Sequence, residues 1–311
     1  VGHSSVRTWV MGDAATERAA SPDEIAAMRC LVDEGIAAGA IGFATSTSPA
    51  HNGEAGRPMP SRLACDQELH TLTMALREAG RGVFMLTKGG HTRVEFLEQL
   101  AADSGRPVIV AALLHNSTNP NAVFADLDAI EAARQRGRSM WGAVSCCPLT
   151  NDFTLQSPYP VEGLQSWREA LPLKGEALIA KLAEPSFREA VRLEIARPAT
   201  FRLFNGEWDK VQVIEVSRSS NAWMEQRTIA DLATQLARDP LDVMLDLAIE
   251  ENLATVFSAV LLNSDEAAVT QILQHPASLI SLSDAGAHLT FFNDAGFGLH
   301  LLGHWSRELG A

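Results

Sequence analysis

Residues 83–115 read VFMLTKGGHTRVEFLEQLAADSGRPVIVAALLH. The apolar run Val83 to Leu86 is too short for a helix and predicts a buried strand. Thr92-Arg93-Val94-Glu95 has the form of a capping box, in which a hydroxyl and a carboxylate satisfy each other's backbone N–H groups. It opens a helix that ends near Gly105. Val108 to Leu114, preceded by Pro107, is a second apolar strand. A strand, a helix and another strand in succession predict a parallel pair, since parallel strands need a crossover connection.

The same cycle extends in both directions. Upstream, Ser21-Pro22-Asp23-Glu24 is a capping box with Pro at the first helical position. Its helix carries Ile25, Met28, Leu31, Val32 and Ile36 at helical spacing and stops at Gly39. Ile41 to Thr45 reads as a strand, and Asp66 caps a helix closed by Gly80. Downstream, a helix follows Pro120 and ends at Gly137, before a strand over Met140 to Val144. Residues 146–227, rich in Pro, Trp and Arg, break the rhythm and read as an irregular insertion. The alternation resumes with helices from Thr228 and over Leu241 to Ile249, and a strand near Thr255 to Leu262. A helix after Ser264 and a strand from Leu279 to Ser283 complete it. The repeating unit suggests a doubly wound sheet or a (β/α)8 barrel. No Gly-x-Gly-x-x-Gly lies at a strand-to-helix turn, which lowers the dinucleotide option.

The chain has 311 residues, 46% of them hydrophobic, enough for a large core. No apolar run reaches the roughly 18 residues of a membrane span, and no secretory signal pattern is present. The formal net charge of −13 argues against a nucleic-acid partner, which needs a basic footprint. Four cysteines in a chain this long make no disulfide framework, so a reducing, cytoplasmic setting is expected. The oligomeric state is not legible. Val1 at the start, and a helix pattern running into Ala311, predict a fragment.

In a parallel barrel, chemistry collects where strands end. Lys88 follows the strand at Val83, His115 follows the strand at Val108, and Asp284 follows the strand at Leu279, with His288 four residues on. A neutral imidazole and a carboxylate suit zinc-assisted hydrolysis, and an Asp can shuttle the proton from water to a leaving amine. Lys88 is either a carbamylated metal ligand, a contact for a substrate carboxylate, or a solvated loop residue. His51, Arg57 and Arg62 lie in a Gly- and Pro-stiffened loop, where paired arginines suit a carboxylate. Cys146 and Cys147, at another strand end, are either thiolate ligands or buried packing.

Three segments carry a family resemblance. Gly2-His3-Ser4-Ser5-Val6-Arg7 with Val10-Met11-Gly12, then Gly39 to Phe43, then Ser283-Asp284-Ala285-Gly286-Ala287-His288 resemble the D-aminoacylase branch of the amidohydrolase superfamily. The resemblance implies an incomplete (β/α)8 TIM-type barrel spanning 1–311, with the first strands and the β-sandwich of the termini absent. It implies zinc-dependent hydrolysis of a linear N-acyl amide, with a small acylated amine as substrate. Asp284 would be the general acid/base and His115 a zinc ligand. His3, His51, His288, Arg57 and Arg62 would contact substrate. The family's Thr-His-x-Arg ligand segment falls on Thr87-Lys88-Gly89-Gly90, so Lys88 stands where a ligand His is expected. The Lys of its Ser-His-Leu-Lys segment is also missing, since Asn116-Ser117 follow His115. Further zinc ligands are expected upstream of Val1. Two alternatives stay open: a cyclic-amide hydrolase with carbamylated Lys88, and a non-catalytic barrel that binds small acids.

Overall fold

A computed structural model describes residues 1–49, 51–53, 56–199, 202–283 and 295–310. The chain divides into two compact units. The first comprises residues 1–113, 123–144 and 271–282; the second comprises 114–122, 145–270 and 283–311.

The first unit is a parallel sheet backed by helices. Its strands are β1 (Gly42–Ser46), β2 (Val83–Thr87), β3 (Val108–Ala111), β4 (Met140–Val144) and β8 (Ser278–Ile280), in the order β1-β2-β3-β4-β8. All four pairings are parallel. Val1 and Gly2 run alongside β1, where the Ala44 N–H donates to the Val1 carbonyl at 2.9 Å. The helices are α1 (His3–Met11), α2 (Pro22–Ala37), α3 (Asp66–Ala79), α4 (Val94–Ser104) and α5 (Ala122–Gln135). Met28, Val32 and Ile36 of α2, Leu72 and Leu76 of α3, Leu97 and Leu100 of α4, and Leu127 and Ile130 of α5 pack with Phe43, Phe84, Leu86, Val108 and Val110 of the strands. The apolar stripe of each helix thus meets the apolar rows of the sheet, as the helical and strand periods require.

The second unit has its own core. β5 (Leu149–Phe153) and β6 (Val211–Glu215) flank β7 (Val256–Leu262), and both pairings are antiparallel. Around this sheet pack α6 (Gly175–Ala183), α7 (Pro185–Ala196), α8 (Ile229–Leu236) and α9 (Pro240–Glu250). Trp167, Leu182, Val191, Leu232, Leu245 and Phe257 are fully buried there. α10 (Glu266–Gln274) carries the chain back toward β8, and α11 (Phe297–His300) continues as a π-helix over Leu301–Glu308.

Two expectations change. Residues 146–227 are not irregular throughout, for they hold β5, β6, α6 and α7. Thr255 to Leu262 is not a parallel strand but the centre of an antiparallel sheet. Phe257, Ala259 and Leu261 are buried while Val256, Ser258 and Val260 are half-buried, the alternation of a sheet covered more fully on one face.

Candidate functional site

The turn after β2 is closely packed. The Gly89 N–H donates to Thr47 Oγ1 at 2.9 Å, and Thr47 Oγ1 lies 2.7 Å from Thr92 Oγ1. A Cβ on Gly89 would stand 2.1 Å from the Thr47 carbonyl oxygen, so only glycine fits. Thr92 is therefore not the capping residue expected of it. Arg93 occupies the N-cap of α4 with no side-chain cap bond, and the Thr92 hydroxyl is spent on Thr47. This turn aims Lys88 at α5, where its Nζ meets Asp126 Oδ2 at 3.0 Å. Both side chains are about four-fifths buried, at 18% and 22% exposed. An ammonium held this way donates hydrogen bonds and offers no lone pair to a metal.

His115 lies in the second unit and is buried. Asn263, the residue after β7, fixes its backbone at two points. The His115 N–H donates to Asn263 Oδ1 at 2.7 Å, and the Asn263 N–H donates to the His115 carbonyl at 2.9 Å. His115 lines an open cleft of about 800 Å³ with Ser117, Lys210, Ser264, Asp265, Glu266 and Ala267. Lys210 Nζ is anchored by Glu207 Oε1 at 2.6 Å and Ser264 Oγ at 2.7 Å. Asp265 caps α10, and the Ala268 and Ala267 N–H groups hold its carboxyl below the usual range. It stays ionised beside His115 and Lys210.

The other expected residues divide. His3 is 1% exposed, with Nδ1 at 2.7 Å from Thr45 Oγ1 and Nε2 at 2.7 Å from Glu68 Oε1. Both ring nitrogens are thus committed inside the chain, and the expected substrate contact is replaced by a structural one. Arg62 donates to the His51 carbonyl at 3.2 Å and to Asn52 Oδ1, so it braces its own loop. His51 is exposed and pairs through Nδ1 with Ser46 Oγ at 2.7 Å. Arg57 is exposed and has no side-chain ion pair among the described residues. Cys146 and Cys147 are buried, and Trp305 Nε1 donates to the Cys146 carbonyl at 2.7 Å. Asp284 and His288 lie outside the described residues. Asn263, Lys210 and Asp126 were not foreseen. For Asn263 one signal existed: Asn directly after an apolar strand is a residue suited to left-handed backbone.

Among the described residues, no group of three or more His, Cys, Asp or Glu side chains is placed to hold a metal ion. With Lys88 paired to Asp126, these residues do not fit the expected zinc site on their own.

No family model matches the chain. An uncharacterized protein of Mycobacterium tuberculosis is 25% identical over 337 aligned positions, covering 97% of this chain and 52% of the relative. The D-aminoacylase of Alcaligenes xylosoxydans xylosoxydans is 56% identical over 45 residues, which is 14% of this chain and 9% of that enzyme. Among solved structures, a D-aminoacylase assigned to a novel subset of amidohydrolases matches all of this chain and 52% of its own, at 21% identity and a TM-score of 0.57. An N-acyl-D-glutamate deacylase from Bordetella bronchiseptica, complexed with zinc and a phosphonate inhibitor, matches all of this chain and 53% of its own, at 19% identity and a TM-score of 0.57. The chain spans about half the length of the relatives it matches. The resemblance read from the sequence holds at the level of fold: the chain is similar along its whole length to D-aminoacylase and to an N-acyl-D-glutamate deacylase.

Proposed function

We propose that this chain is part of a hydrolase that cleaves the linear amide of an N-acyl amino acid, and that its five parallel strands are consecutive staves of a (β/α)8 barrel. The observation that carries the reading is the likeness of fold, over the whole chain, to two enzymes that remove acyl groups from D-amino acids. Zinc, expected from the same likeness, would draw on His115 and on residues outside those described. The bond from Lys88 to Asp126 weighs against Lys88 as a ligand.

The roles of the chain's own residues follow from their chemistry. Asp284 takes a proton from the attacking water and delivers it to the leaving amine nitrogen. Arg57, exposed and without an ion pair among the described residues, holds the substrate carboxylate, while Arg62 keeps the loop in shape. No helix among the described residues is long and apolar enough to cross a membrane. The thiols of Cys30 and Cys65 are exposed, which favours a reducing compartment such as the cytoplasm.

The test is turnover of N-acyl-D- and N-acyl-L-amino acids by the full-length protein, with metal content measured on the same sample. Asp284→Asn should lower kcat by about 100-fold or more. Arg57→Ala should raise KM about tenfold and leave kcat nearly unchanged, the signature of lost uniform binding. An unchanged KM would remove Arg57 from substrate binding.

One observation favours a second reading. The Lys88–Asp126 pair occupies the position where a ligand histidine is expected, as it would in a barrel that binds small acids without cleaving them. Absence of bound metal and of turnover, together with saturable binding of N-acyl amino acids by calorimetry, would establish that reading instead. The pair also weighs against carbamylated Lys88, because carbamylation would set two anions side by side.

A further inference from the structure

We infer that Asn263 is a positioning residue for His115, the residue that fixes this imidazole against the cleft. The inference rests on the reading of His115 as part of an amide-hydrolysing site.

Asn263 has a left-handed backbone, φ 55°, and is 4% exposed. Every polar group of its side chain is used. Oδ1 accepts from the His115 N–H at 2.7 Å, and Nδ2 donates to the carbonyls of Ser145 at 3.1 Å and Cys147 at 3.3 Å. Its own N–H returns a bond to the His115 carbonyl at 2.9 Å, across 148 positions of chain. One amide therefore joins three backbone segments: the one after β3, the one after β4 and its own after β7. All lie within the second unit.

The chemistry selects asparagine. Aspartate would accept from His115 but would set its carboxylate against two carbonyl oxygens. Leucine would leave the buried His115 N–H without its acceptor and take a donor from the carbonyls of Ser145 and Cys147. Asparagine also tolerates the left-handed backbone better than other side chains that bear a β-carbon. With its N–H and carbonyl both tied, His115 keeps only side-chain freedom, and it lines the cleft with Ser117, Lys210 and Asp265 from a fixed backbone. Displacing a reacting group by about 1 Å can cost about 100-fold in rate.

The experiment uses the full-length protein with Asn263→Gly, which accepts the left-handed backbone and deletes the amide, and Asn263→Asp, which keeps only the acceptor for His115. Amide hydrogen exchange is read at His115, and kcat and KM are read on an N-acyl amino acid. Exchange at His115 should quicken at least tenfold or so in Asn263→Gly and less in Asn263→Asp, with far-UV circular dichroism unchanged. The value of kcat should fall about 100-fold in Asn263→Gly, with KM within about twofold, and recover in part in Asn263→Asp. Unchanged exchange at His115 in Asn263→Gly overturns the inference, whatever the activity. Unchanged kcat and KM in an active protein overturns it too, and leaves the proposed function standing. If the parent protein shows no turnover, the proposed function fails, and the exchange measurement still decides whether Asn263 clamps His115.

Discussion

Glu68 is a carboxylate with no exposed surface, and two side chains keep it there. His3 meets it at 2.7 Å, and Arg7 Nη1 donates to its two oxygens at 2.6 and 2.5 Å. Burial acts to raise the Glu68 pKa, but the bonds from His3 and Arg7 outweigh it and hold the carboxyl below its ordinary range. Burial is also the main cause that lowers the His3 pKa below its ordinary 6.5, against the raising effect of Glu68. Both shifts are depressions in the folded state, so the unfolded chain binds protons more readily. Stability from His3 is complete above pH 6.5 and is lost as pH falls through its folded value. Stability from Glu68 is complete above pH 4.5 and is lost below that. The unfolding midpoint in urea should thus begin to fall just below pH 6.5, and His3→Gln should flatten that first decline. Glu68→Ala should cost about 3–5 kcal/mol at pH 7, since it strands the Arg7 guanidinium in the core. A loss under about 1 kcal/mol would show that water reaches Arg7. Two adjacent glycines give a second contrast at this scale. Gly89→Ala should lower the melting temperature clearly, because its Cβ meets the Thr47 backbone, whereas Gly90→Ala has nothing within 4 Å to meet.

At the scale of elements, two similar sequence patterns behave differently. Ser21 and Glu24 form the full capping box of α2, and Arg18 and the Ser21 N–H hold the Glu24 carboxyl down at about 2. Thr92 and Glu95 have the same spacing without the box, because the Thr92 hydroxyl bonds Thr47 from another loop. Ser21→Ala should cost about 1 kcal/mol by losing a cap. Thr92→Ala should destabilise through the turn that holds Gly89, so its effect should shrink when Thr47→Ala is already present. Additive losses in that double-mutant cycle would deny the contact. Asp66 departs in a smaller way: Cys65 is the N-cap of α3 and Asp66 the first residue inside, where its charge favours the helix N-terminus. Such boundaries depend on which partner a short polar side chain finds, and local spacing does not specify that.

At the scale of the whole molecule, 38 acidic residues against 25 basic ones give a net charge of −13, which weighs against a phosphate backbone as partner. Duplex DNA at ~0.1 M salt should show no mobility shift with micromolar protein. Alternating apolar runs and helix signals were enough to place β1, β2, β3 and β4 with α3, α4 and α5 between them, and to mark β8 near Leu279, because strand and helix periods are written in neighbouring residues. The antiparallel placement of β7 was not legible, since an apolar run of seven residues fits a parallel or an antiparallel neighbour equally well. The site divides in the same way. Residue types at strand ends picked out Lys88 and His115 as polar groups where chemistry gathers. Their partners, Asp126 and Asn263, lie 38 and 148 positions further along, and only folding of the chain brings them within hydrogen-bond reach. His3 makes the point most sharply: a motif histidine became a core residue because Thr45 and Glu68, 42 and 65 positions away, take both its nitrogens. Short-range order follows from local periodicity, whereas the role of a polar side chain follows from partners that the linear chain does not name.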